Sequence, residues 1–146
     1  MRSKQLKWCA LFLWELPQNL LGLGLWGLEH LLDGRHPREF AQERLFLRSR
    51  RSAVSLGFFV FWAEGVTRYA ILDHNTRAHE YGHTFQSRWF GPLYLPLIGI
   101  PSVMRVLYSI LYREITGRRW TRYFEGYPEK WADKLGGVTR EPTEGS

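Results

Sequence analysis

Residues 77–89 read RAHEYGHTFQSRW and contain His79-Glu80-Tyr81-Gly82-His83, a match to the H-E-x-x-H pattern. On a helix, positions i and i+4 lie on one face, so both imidazoles can reach one metal ion. Glu80 sits beside them, where a carboxylate can take a proton from an activated water. The chemistry this spacing allows is metal-assisted hydrolysis. Five residues alone are a weak signal, and a chance match on a surface helix is the plain alternative. The weight therefore falls on what the rest of the chain supplies.

A catalytic zinc takes three protein ligands and keeps one position open. No His follows His83, and the single cysteine, Cys9, lies far upstream. The third ligand must then be a downstream carboxylate: Glu114, Glu125, Glu129, Asp133, Glu141 or Glu144. Glu129 is the best placed. It opens Glu129-Lys130-Trp131-Ala132-Asp133, an E-x-x-A-D pattern whose two acids fall one helical turn apart on one face. Glu129 can ligate while Asp133 accepts the outer N–H of a ligating His, which fixes the imidazole tautomer.

H-E-x-G-H followed by E-x-x-A-D resembles the gluzincin metallopeptidases, most closely the membrane-bound CAAX-prenyl-protease type. The resemblance covers these two motifs and no more of the chain. It implies a zincin-like domain core with Zn2+ held by His79, His83 and Glu129, Glu80 as general base, and Asp133 behind a ligand. Gly82 matches the small residue of H-E-x-G-H. The resemblance further implies a peptide or protein substrate, aligned along the Val54–Trp62 strand, and a bacterial inner membrane facing the cytoplasm. A rival resemblance is to the site-2 protease type, whose third ligand is the Asp of a downstream L-D-G. Here Leu32-Asp33-Gly34 lies upstream, in the wrong order. For an oxyanion-stabilising group the chain offers His74, Tyr123 and Tyr127.

These residues need elements to hold them. At 146 residues the chain is long enough for one core, expected over residues 1–137 with a disordered tail at 138–146. Asp73-His74-Asn75-Thr76 starts a helix with Asn75 or Thr76 as N-cap, and Gly91-Pro92 ends it. The H-E-x-x-H thus falls early in a helix over 77–90. Pro128 and Gly136-Gly137 bound a short helix carrying E-x-x-A-D. Ahead of the first helix, Ser55–Trp62 and Val66–Leu72 read as a hairpin turning at Ala63-Glu64-Gly65. The fold class is α+β: a mainly helical, zincin-like domain with a small hairpin or sheet before the H-E-x-x-H helix.

Two apolar stretches raise the question of a membrane. Trp8–Leu32 follows a basic start, but Glu15, Gln18, Asn19 and Glu29 interrupt it and Pro17 breaks or restarts its helix. Its G-x-G-x-x-G at Gly22–Gly27 lies within the helix and reads as a packing face, not a nucleotide site. Asp33–Arg51 reads as a polar connector, rich in Arg. Its arginines are either a solvated face or a contact with anionic lipid; no nucleic-acid reader motif accompanies them.

Leu93–Leu111 holds Pro96 and Pro101, so its first half is bent, with a helix over 102–113. On that helix Ser102, Arg105 and Ser109 share a stripe opposite the apolar residues. A straight span there would put His79 and His83 on the far side of a bilayer from Glu129. The site therefore requires this stretch to turn back. A membrane-associated domain with interfacial or re-entrant stretches is expected, and the mean hydropathy of −0.31 keeps a soluble cytoplasmic domain as the alternative. The functional alternative is a non-catalytic membrane-associated module with a structural metal or none. Cys9 reads as a buried thiol. Oligomeric state is not legible.

Overall fold

The computed structural model describes residues 2–50, 52–66, 69 and 71–141. Two helices open the chain, α1 (Arg2–Trp14) and α2 (Leu16–Asp33). The break falls at Glu15, just before Pro17, which has no N–H to continue the ladder. The Asn19 amide donates to the Phe12 carbonyl across the break, at 2.9 Å. Strands β1 (Arg38–Ala41), β2 (Arg44–Arg48), β3 (Val54–Leu56) and β4 (Phe59–Trp62) follow, then the short pair β5 (Gly65–Val66) and β6 (Ile71–Leu72). The chain closes with α3 (Thr76–Phe90), α4 (Ile100–Thr116) and α5 (Glu129–Gly136). The class is α+β, helix-rich, with a small mixed sheet ahead of α3.

The four-stranded sheet has order β1-β2-β4-β3, with β2 and β4 parallel and the outer pairs antiparallel. Side chains alternate between its faces. Leu47, Phe59 and Phe61 form the main apolar cluster and pack with Leu25 and Trp26 of α2. Phe46 and Val60 point the other way, with Phe46 against Tyr81 of α3. Burying Leu47 or Phe61 stabilises the fold by about 1.5–3 kcal/mol each.

Three strand expectations need correction. The Asp33–Arg51 connector contains β1 and β2, joined by Gln42 and Glu43 at φ 50° and 62°. That tight turn lacks the glycine that normally announces it. The expected strand Ser55–Trp62 is instead the β3–β4 hairpin. Its turn sits at Gly57-Phe58, where Asn19 Oδ1 accepts the Phe58 N–H at 2.6 Å and Gly57 has φ 63°. The expected strand Val66–Leu72 holds only β6 and the end of β5; Thr67, Arg68 and Ala70 within it lie outside the described residues.

Helix α2 is turned inside out for a water-soluble domain. Glu15, Gln18, Asn19, Gly22 and Glu29 face inward, while Leu20, Leu21, Leu23, Leu28, Leu31 and Leu32 are exposed. Each inward polar side chain has at least one hydrogen-bond partner, although Gln18 Oε1 has none of its own. Arg44 makes a two-pronged ion pair with Glu15, at 2.6 and 3.0 Å, so this arginine is buried rather than solvated. Gln18 donates to Ser87 and to the Gly91 carbonyl, and Glu29 accepts from Ser49 and Ser52. Of the three helical glycines, Gly22 packs on Phe59, whereas Gly24 and Gly27 face open space. Cys9 is exposed, contrary to expectation. It lines an apolar cleft of about 450 Å³ with Trp8, Phe12 and Phe58.

After α3, a 3₁₀ turn at Gly91–Leu93 and a π turn at Leu95–Gly99 absorb the prolines before α4. The polar stripe of α4 faces inward, with Ser109 buried; Val103, Met104, Val106, Leu107 and Leu111 are exposed. The chain then returns along α4 as irregular backbone with one 3₁₀ turn at Tyr123–Glu125. Trp120 meets Tyr108 edge to face, Arg105 donates to the Tyr123 and Arg122 carbonyls, and Tyr127 donates to the Leu97 carbonyl. This return delivers α5 back to α3.

Candidate metal centre

Helices α3 and α5 cross antiparallel at backbone contact. A Cβ on Gly82 would lie 2.7 Å from the Ala132 carbonyl carbon, and one on Gly136 would lie 2.8 Å from that of Ala78. Residues 78 and 82 therefore face 136 and 132. In that register, His79 lies beside Asp133 and His83 beside Glu129. The four-residue spacing of each motif matches the other because both repeat one turn of helix.

The structure brings together all five residues singled out from the sequence, and all are buried. His79 Nε2 and His83 Nε2 approach Glu129 Oε2 at 2.9 and 3.2 Å. The outer nitrogens are both engaged: His79 Nδ1 on Asp133 Oδ1 and His83 Nδ1 on Gln86 Oε1, each at 2.7 Å. A neutral ring that donates from Nδ1 carries its lone pair on Nε2. Two such lone pairs and a carboxylate oxygen would converge on one point and could hold a cation.

Zinc fits the donor set. Ligand atoms about 2.0–2.1 Å from a tetrahedral zinc stand about 3.3 Å apart, close to the two distances here. The three donors lie within 4.8 Å of one another. A proton is the other cation that can serve, and the electrostatics show its pull. Burial lowers the His79 pKa, but hydrogen bonds with Asp133 and Glu129 and the charge of Glu80 more than reverse this, raising it to about 9. Burial pushes Glu129 up, and the two imidazoles overcome it, holding the carboxyl far below the usual range. Burial raises the Glu80 carboxyl, with the imidazoles opposing.

Several neighbours escaped the sequence reading. Ser102 donates to Glu129 Oε1 at 2.5 Å, completing the carboxylate. Its place on the inward stripe of α4 was legible; its partner was not. Gln86, three residues after His83, was within helical reach of it and could have been found. Arg140 grips Asp133 with Nε and Nη2 at 2.7 and 3.0 Å, and Val138 N–H donates to the Asp133 carbonyl. Val138 and Arg140 lie at the start of the expected tail, and residues 142–146 of it lie outside the described residues.

Of the three oxyanion candidates, only Tyr123 reaches the site. Its hydroxyl comes within reach of Ser102 and Glu129, and burial pushes it well above the usual range. His74 is exposed. The Tyr127 hydroxyl is taken by the Leu97 carbonyl.

The expected peptide-aligning edge is also occupied. Ser55 on β3 gives its main-chain N–H to Glu80 and its carbonyl to the Tyr94 hydroxyl, at 3.0 Å for the latter. Comparisons with family models, curated proteins and solved structures find no match to this chain.

Proposed function

We propose that the chain is a zinc-dependent peptidase of gluzincin type, working at a membrane surface. The observation that carries this reading is the convergence of His79 Nε2, His83 Nε2 and Glu129 Oε2, with Asp133 behind His79 and Glu80 beside the pair. Zinc bound there would supply a Lewis acid for a peptide carbonyl and an acidified water. The chain's own residues do the rest. Asp133 and Gln86 hold the imidazoles with Nε2 inward. Ser102 fixes Glu129. The Glu80 carboxylate, held by the Ser55 N–H, takes the proton of the attacking water and passes it to the leaving amine.

Support for a membrane surface comes from the inverted helices. Leu95–Thr116 is long and apolar enough to cross a bilayer, yet only 11% of its most apolar window is buried within the protein. A span conflicts with the return path. Irregular backbone carrying Arg118, Arg119 and Arg122 runs back beside α4, and hydrocarbon does not tolerate such backbone unless protein covers it. An α4 lying in the interface, with its stripe toward the protein and its apolar side toward acyl chains, satisfies both.

A second reading, a metal centre without peptidase activity, is favoured by two observations. The site is buried beneath α4 and its return segment, and the Ser55 edge is already occupied. One pair of experiments separates the readings. Purified protein should hold about one equivalent of zinc, with His83→Ala losing it; under half an equivalent in both refutes the metal reading. Glu80→Gln should keep zinc and lose about 10²–10⁴-fold in peptide hydrolysis. Zinc uptake without turnover in the wild type supports the second reading.

A further inference from the structure

We propose that Arg140 is a positioning residue for the metal centre, acting through Asp133 to aim His79 Nε2 at the ion. This inference rests on the zinc reading above.

The guanidinium meets the Asp133 carboxylate with two prongs, Nε on Oδ2 and Nη2 on Oδ1. Oδ1 is also the oxygen that takes the His79 Nδ1 proton. A lone carboxylate can swing about its two side-chain torsions. One gripped by a planar fork cannot, so the plane that receives the imidazole is set by Arg140.

Arg140 is itself held. Its guanidinium lies 3.4 Å from the centroid of Phe124, and Phe124 meets His79 edge to face at 5.1 Å. Its Nη1 lies 3.6 Å from Asp73, just ahead of α3. The left-handed Gly137, φ 72°, and the Val138–Asp133 bond turn the chain back so that Arg140 reaches this position. Arg140 therefore touches Asp73 in the turn that leads into α3 and the Asp133 carboxylate of α5, linking the two ligand-bearing segments. Nothing in the H-E-x-x-H or E-x-x-A-D patterns requires it.

The test is zinc affinity, by competition with a chromophoric chelator, for wild type, Arg140→Lys, Arg140→Ala, Asp133→Ala and the double variant Arg140→Ala/Asp133→Ala. Removing an outer partner of a ligating His weakens metal binding about 10–100-fold. Arg140→Ala is expected at the lower end, about 10-fold. Arg140→Lys keeps the charge without the fork and should lose about 3-fold. On the Asp133→Ala background, losing Arg140 should cost under twofold, because its route to the metal is already gone. The absorption bands of the Co2+-loaded protein should shift in Arg140→Ala and be unchanged between Asp133→Ala and the double variant.

Arg140→Ala binding zinc within twofold of wild type overturns the proposal. So does a full 10-fold further loss on the Asp133→Ala background, which would mark a general structural role. If Arg140→Ala does not fold, the Arg140→Lys comparison, alone and with Asp133→Ala, decides by the same rule. A wild type that takes up no zinc defeats the metal reading itself, and this inference with it; that result is read from the wild type alone.

Discussion

Replacing Gly82 with alanine tests whether the α3–α5 contact builds the site. The new methyl carbon would sit 2.7 Å from the Ala132 carbonyl carbon, with the carbonyl oxygen nearer still. Ordinary contact begins at 3.4 Å, so α5 must retreat by at least about 0.7 Å. The obstacle is backbone, which cannot rotate aside as a side chain can. Overpacking of this kind costs about 1–3 kcal/mol, which a domain with about 5–15 kcal/mol of stability survives. The metal centre does not survive it, because ligand distances tolerate only about ±0.2 Å. Glu129 rides on α5 while both imidazoles ride on α3, so the retreat opens the triangle directly.

Zinc affinity should fall about 100-fold or more, while circular dichroism keeps its helical signal and the melting temperature drops only modestly. Gly136→Ala, which meets the Ala78 carbonyl from the other side, should do the same. Gly24→Ala, facing open space in α2, is the control and should leave zinc binding unchanged. A Gly82→Ala protein that binds zinc within threefold of wild type would refute the claim that helix proximity sets the site.

Two further predictions concern charge. In metal-free protein the raised His79 pKa contributes stability that is fully present below about pH 6.5, the ordinary value, and is lost as pH rises through about 9. The size is of the order of 3 kcal/mol, shared with Glu129 rather than added to a separate Glu129 contribution. Chelator-treated protein melted across this range should show the loss, and a His79→Gln variant should not; a flat wild-type profile contradicts the raised pKa. Arg44→Ala leaves Glu15 charged and buried without its partner, and should cost about 3–5 kcal/mol in urea unfolding. A cost below about 1 kcal/mol would mean that water or a neighbour replaces the guanidinium.

The helices that carry the chemistry were legible because their signals are local. Asn75, Gly91, Pro128 and Gly137 mark their ends, and the observed limits fall within a residue or so of those marks. The sheet was less legible because its turns are held from outside. Gln42-Glu43 turns without glycine, and the Gly57-Phe58 turn is fixed by Asn19, which lies 39 residues away. The burial of Arg44 was hidden for the same reason: its carboxylate comes from Glu15, at the break between α1 and α2. Within the site, each motif gave its own residues. Ser102, Tyr123 and Arg140 arrive from segments whose positions depend on the return path along α4, and no spacing rule reaches that far.

The return path also means that one point closes a long excursion. His83 and Glu129 are 46 residues apart, and everything between them leaves α3 and comes back through α4. An ion held by both would act as a clasp on that loop, opposing the chain entropy of its opening. Because Ser102 of α4 touches Glu129, the seat of α4 and the state of the clasp are linked. On the proposed reading, acyl chains that favour the docked α4 strengthen metal binding, and the metal strengthens the hold on the bilayer by the same factor. Lipid would then be a regulator of zinc affinity, and chelation a means of loosening the protein from its membrane.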